Sequence, residues 1–225
     1  MTAWQNQPII RVRKGRYLFN FFINISAGVG GKCSMEGKRL TSYAMEELEC
    51  PKCGHKHSLK KYKVINVTEK AKLKEEIMKN RLYQFSCEEC EYMAPLTYDS
   101  LYVDSQRNIM IYMAPVMNAE IKAEIAELEQ EKGIDKRLVD NINDLKEKIM
   151  IADNHLDDRV IEIIKIMYID QMKKEMEDDT LLNILFDYNR DNYCFLVFFQ
   201  KKGIGKIPLT REFYRQVEDK YKDAI

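Results

Sequence analysis

Four of the six cysteines in this 225-residue chain fall into two Cys-x-x-Cys pairs, Cys50-Pro51-Lys52-Cys53 and Cys87-Glu88-Glu89-Cys90. Each spacing brings two sulfurs to one side of a tight turn. Two such turns facing each other supply the tetrahedral thiolate shell that Zn²⁺ takes in closed structural sites. Cys50, Cys53, Cys87 and Cys90 are therefore the candidate ligands of one structural zinc ion. Such a shell keeps no open position, so it speaks for cohesion rather than for a reaction.

The flanks of the two pairs are unequal. Pro51 fixes φ behind Cys50 and Gly54 permits a left-handed backbone after Cys53, whereas the second pair has neither device. Glu88, Glu89 and Glu91 surround the second pair and disfavour thiolates, while Lys52, Lys56, Lys60 and Lys61 gather near the first. A tetrathiolate zinc carries about two net negative charges, so the lysines offset across one ion what the glutamates aggravate. His55 and His57 stand close behind Cys53 and are alternatives for one place in the shell or for an outer contact. With four cysteines already sufficient, both read as exposed turn residues.

The chemical competitor is a thiol redox protein, because Cys-Pro-x-Cys also occurs in oxidoreductases. There the first cysteine opens a helix inside a βαβ pattern, whereas Cys50 precedes a strand and a second pair exists. His155, the third histidine, lies among Asp153, Asp157 and Asp158 with no Ser or Cys beside it, and reads as a surface ion pair. Gly28-Val-Gly-Gly-Lys-Cys33 superficially resembles a phosphate loop, but Ser26 replaces the first Gly and Cys33 replaces the Mg²⁺-holding hydroxyl. Cys33 fits no pattern, and Cys194, between Tyr193 and Phe195, reads as a small core residue. No residue emerges as catalytic.

Charge narrows the partners. With 36 basic and 36 acidic residues, no global field recruits a polyanion. Locally, residues 49–81 carry ten Lys/Arg against four Glu and interleave Tyr62 with lysines, while residues 140–180 carry twelve acids against six bases. A weak single-stranded nucleic-acid contact through Lys56, Lys60 and Lys63 is the alternative to a solvated lysine face. A protein partner is the main expectation. Cysteines at ligand spacing suit a reducing compartment, hence a cytoplasmic protein without a membrane span. Against that stands the N-terminus, where four basic residues precede the apolar run 17–25 and a stretch of small residues, the order of a secretory signal. Asn20 and Asn24 interrupt the run, which favours a buried strand; translation starting at Met35 or Met45 is a third reading.

Periodicity supplies the elements that must position the cysteines. A strand over 58–67 leaves the first pair, Thr68 caps a helix over 69–81 with Leu73 and Ile77 inward, and a strand over 82–86 returns to the second pair. A hairpin follows at 96–104 and 109–114 through Ser105 to Asn108, then an amphipathic helix over 118–132 stopped by Gly133. Beyond it come a short strand near 137–139, a helix over 141–152, and a helix capped by Asp157 or Asp158. That last helix has apolar residues nearly all round and so reads as central. A hairpin at 181–188 and 193–200, a strand at 206–209 and a helix capped by Thr210 close the chain. The expected architecture is α+β: an extension over 1–44, a zinc-ribbon-like β-rich module with an inserted helix over 45–117, a connecting helix over 118–134, and an α+β module over 135–225.

Cys-Pro-Lys-Cys-Gly at 50–54, Phe-Ser-Cys-Glu-Glu-Cys at 85–90 and Leu-Tyr-Val-Asp-Ser-Gln-Arg-Asn-Ile-Met-Ile-Tyr-Met-Ala-Pro at 101–115 together resemble the CpXC domain family of bacterial and archaeal proteins. The segments 143–148 and 156–162 resemble the region that often follows that domain. The resemblance implies zinc at Cys50, Cys53, Cys87 and Cys90 and names no reaction. The second motif departs from the family pattern by carrying Glu88 in place of Pro and Glu91 in place of a common Gly.

Overall fold

The computed structural model describes residues 39–175, 179–189 and 192–223. The readings made above for the segment before residue 39, namely the signal, the apolar run, the phosphate-loop likeness and Cys33, lie outside the described residues. In chain order the elements are β1 (Ser42–Glu49), β2 (Lys56–Asn66), α1 (Lys72–Met78), a 3₁₀ turn (Arg81–Tyr83), β3 (Gln84–Ser86), β4 (Met93–Pro95), β5 (Ser100–Asp104) and β6 (Ile109–Met113). Then follow α2 (Ala119–Glu129), β7 (Asp135–Val139), α3 (Ile142–Asp153), α4 (Asp158–Glu175), β8 (Leu181–Asn189), β9 (Asn192–Phe199), β10 (Gly203–Leu209) and α5 (Arg211–Tyr221). This is an α+β fold with three sheets. No helix among the described residues is long and apolar enough to cross a membrane.

The main sheet has the order β1-β2-β5-β6-β7, with β2 parallel to β5 and β6 parallel to β7. Its central hairpin is buried along every residue of β5 and β6. Strict alternation explains how both faces are used. Tyr102, Ile111 and Met113 point to Leu73 and Ile77 of α1 and to Leu145 and Ile149 of α3, while Leu101, Val103, Met110 and Tyr112 point to Ile121 and Leu128 of α2. The turn between β5 and β6 is held by Asp104, whose carboxylate accepts the N–H groups of Gln106 and Arg107 and pairs with Lys74 of α1 at 3.0 Å. β1 was not legible as a strand. Residues 42–44, grouped above with the extension, lie in it, and Asn66 Nδ2 donates to the Arg39 carbonyl at 2.9 Å.

A second core lies on the meander β8-β9-β10. Phe186, Phe195 and Val197 from its buried face meet Val160, Ile161 and Ile164 of α4 and Tyr214 and Val217 of α5. α3 belongs to both cores, with Leu145 and Ile149 in the first and Ile151 in the second. β7, placed by sequence at the head of the C-terminal module, is bonded to β6 over five residue pairs. Two local expectations are corrected. Thr68 does not cap α1: Asn66 Oδ1 takes the N–H groups of Thr68 and Glu69, ending β2 in an Asx turn, and the Thr68 hydroxyl accepts from Ser105 N–H instead. Nor is α4 buried all round, since Ile166 and Met167 are 47% and 39% exposed.

A chain of buried and half-buried charges joins the two cores. Arg137 of β7 grips Asp158 through Nε at 2.7 Å and Nη2 at 2.6 Å, Lys148 of α3 bridges Asp158 and Glu162, and Lys165 bridges Glu162 and Glu147. The other oxygen of Glu147 accepts the N–H of Phe186 in β8. Three cations and three carboxylates balance, which is the condition for burying them at all. Burial alone raises the Asp158 carboxyl, but Arg137 and Lys148 overcome it and hold the group down at about 2.

Asp158→Asn leaves Arg137 and Lys148 short of their counter-charge and is expected to cost about 3 kcal/mol at pH 7. The folded pKa of Asp158 lies below its ordinary value, so its contribution is complete above that value and fades as the pH falls toward about 2. The wild-type advantage over Asp158→Asn therefore narrows by about 2 kcal/mol between pH 5 and pH 2. Urea unfolding of both proteins across that range checks this, and a constant gap contradicts it.

Candidate metal centre

Both cysteine pairs sit in the turns of antiparallel hairpins, the first between β1 and β2 and the second between β3 and β4. Cys50 N–H donates to the His55 carbonyl at 2.8 Å, and Gly54 N–H donates to the Cys50 carbonyl at 2.9 Å. In the second turn Cys87 N–H donates to the Tyr92 carbonyl at 2.8 Å, and Glu91 N–H donates to the Cys87 carbonyl at 3.0 Å. The two knuckles are thus the same turn. Gly54 takes φ 73° in the first, and Glu91 takes φ 57° in the second. The expectation that Glu91 leaves the second knuckle unshaped is corrected. A side chain in this region costs about 1–2 kcal/mol, which is offset by the closed backbone bonds and by the burial of Cys87.

The crossover from β2 to the adjacent, parallel β5 carries the second hairpin back beside the first. Its base is fixed by Tyr83 and Tyr98, stacked at 4.9 Å, and by Leu96 N–H donating to the Tyr83 carbonyl. The four sulfurs then converge. Cys50 Sγ lies 3.6 Å from Cys90 Sγ, Cys53 Sγ lies 3.6 Å from Cys87 Sγ, and all four lie within 4.8 Å of one another. The edge of a tetrahedron with Zn–S bonds of about 2.3 Å is about 3.8 Å, so the donor set fits such an ion. None of the four is in a disulfide.

Without a cation the four thiols do not ionise together. Burial pushes the Cys50 thiol up, but the N–H groups of Cys53 and Lys52 aim at its sulfur and bring it down to about 7. The N–H of His55 favours the Cys53 thiolate, yet lost hydration and the three neighbouring sulfurs push that thiol up to about 12. Burial likewise raises Cys90. One thiolate is easy and four are not, unless a divalent charge sits among them.

A small apolar shell of Phe85, Leu48, Tyr92 and Leu96 backs the cluster, and Cys50 and Cys87 are each 1% exposed. His57 Nε2 lies 3.2 Å from Cys87 Sγ, while the mutually close ligand atoms are the four sulfurs and neither histidine. Of the four lysines near the first pair only Lys52 reaches the second knuckle, through the Cys90 carbonyl at 3.3 Å. Lys61 pairs with Glu46, Lys60 lies over the Tyr43 ring, and Lys56 is the register partner of Glu49. Glu88, Glu89 and Glu91 face solvent. His155 is exposed at φ 54° where α3 ends, a backbone role that sequence spacing did not signal.

An α+β fold with four cysteines converging from two hairpin turns defines a class of protein built around a cluster able to hold a metal ion. The model of the CpXC protein family matches residues 48–165, just over half of the chain, and the chain belongs to that family. The matched region holds both knuckles and every member of the buried charge chain, and it ends inside α4. No curated protein and no solved structure matches the chain.

If Glu91 tolerates its left-handed backbone only for the sake of the turn, Glu91→Gly should stabilise the protein by about 0.5–1 kcal/mol. Gly54→Ala should destabilise it by about 1 kcal/mol through φ alone, since the new Cβ meets nothing closer than Glu49 Oε1 at 3.5 Å. Thermal unfolding of the two variants in excess zinc checks the opposite signs.

Proposed function

We propose that Cys50, Cys53, Cys87 and Cys90 hold one structural zinc ion and that the chain is a zinc-stabilised binding or regulatory protein of a reducing compartment, the cytoplasm, acting on a protein partner. The observation that carries the zinc assignment is the convergence of four sulfurs within 4.8 Å from two separate turns. The hairpin of β3 and β4 has only three residues in each strand, too little to hold itself in water, and a metal supplies the missing cohesion. When bound, zinc neutralises the thiolates and fixes the two turns to each other. The chain's own part is to aim peptide N–H groups at the sulfurs, to bury Cys50 and Cys87, and to close the shell so that no position is open to a substrate.

The two hairpin turns favour this reading over a redox dithiol, whose reactive cysteine is activated at the start of a helix. The pairing of Lys61 with Glu46 and the facing of Lys56 and Glu49 favour a protein partner over a polyanion.

Untagged protein purified without chelator is expected to contain one zinc per chain by elemental analysis. Stripping it should make amides of residues 84–96 exchange fast while those of β8, β9 and β10 stay protected. Well under one zinc per chain contradicts the assignment.

A further inference from the structure

We propose that His57 is the positioning residue of the metal centre: its Nε2–H donates to Cys87 Sγ and slows loss of the ion, without itself being a ligand. The inference rests on the structural zinc site proposed above.

Three observations converge on that side chain. Its Nε2 lies 3.2 Å from Cys87 Sγ, within reach of an N–H···S bond. Its ring is in edge-to-face contact with Phe85 at 5.2 Å and 83° and with His55 at 4.7 Å and 63°. Its backbone is fixed in β2 opposite Leu48, in the ladder that carries the first knuckle. Phe85 is buried and stands two residues before Cys87, so one ring sets both the strand that delivers the sulfur and the imidazole that meets it. Among the described residues, no other side-chain nitrogen bonds a sulfur of the cluster.

The geometry sets the role. Four thiolates around Zn²⁺ leave about two net negative charges, and an N–H pointed at one sulfur draws off part of that charge. A thiolate so held parts from the metal, or takes up a proton, less readily. The imidazole also ties the two knuckles together, because it rises from the β1–β2 ladder and ends on a cysteine of the β3–β4 turn. Because the ligand atoms that lie mutually close are the four sulfurs, the histidine acts from outside the shell. Donation through Nε2 assigns the tautomer with its proton on that nitrogen.

Two substitutions separate donation from packing. His57→Gln keeps an N–H donor and loses the ring, while His57→Phe keeps the ring against Phe85 and loses the donor. In full-length protein, zinc content is measured first, then the rate of zinc transfer to the chelator 4-(2-pyridylazo)resorcinol, and finally the spectrum of the Co²⁺-loaded form. All three proteins should bind one zinc. His57→Phe should release it roughly tenfold faster than the wild type, the lower end of what outer partners of metal ligands contribute. His57→Gln should stay within about threefold of the wild type, and all three Co²⁺ spectra should be those of four sulfur ligands. Release from His57→Phe within twofold of the wild type overturns the proposal. So does His57→Gln releasing as fast as His57→Phe, or a wild-type Co²⁺ spectrum of three sulfurs and one nitrogen. A wild-type protein that binds no zinc fails at the first step and overturns the metal reading itself.

Discussion

Four sulfurs lie within 4.8 Å of one another, and as thiolates they repel, so the cluster cannot carry its full charge alone. Peptide N–H groups aimed at the sulfur bring Cys50 within reach of ionisation at neutral pH, while its neighbours hold Cys53 far above it. A divalent cation removes the conflict in one step. Two hairpins of unequal strength end in the same turn there. The strong one belongs to the five-stranded sheet, and the weak one has three residues per strand.

A second electrostatic device, away from the cysteines in sequence, works by the reverse logic. There the chain supplies its own counter-charges, and Arg137, Lys148 and Lys165 neutralise Asp158, Glu162 and Glu147 beneath α3 and α4. The result is a seam rather than a boundary between the two cores. β7 closes the main sheet, α3 gives Leu145 and Ile149 to one core and Ile151 to the other, and Glu147 reaches Phe186 in the meander. The match to the CpXC family takes in this seam along with the cysteines and ends before the meander begins.

Much of this was legible in the sequence wherever a side-chain pattern dictates geometry. Cys-x-x-Cys spacing found the cluster, the apolar runs of β5 and β6 found the central hairpin, and Asn118 and Thr210 cap α2 and α5 as helix starts should. What was missed is what only long-range packing decides. Ser42–Glu49 is rich in acids and exposed, and it is a strand because β2 offers it an edge. Glu91 adopts a glycine's φ because the turn closes on both sides of it. Ile166 and Met167 belong to the apolar run but stand exposed, while Tyr168, Ile169 and Met172 beyond them still pack against the second core. His57 looked like a spare turn residue, since nothing in its spacing shows that Phe85, 28 positions later, will direct its ring onto Cys87.

Zinc K-edge X-ray absorption on the purified full-length protein tests directly whether the two knuckles close around one ion through sulfur alone. A single shell of four sulfurs at about 2.3 Å is expected. A shell containing nitrogen or oxygen, or an absorption edge too weak for one zinc per chain, would contradict it.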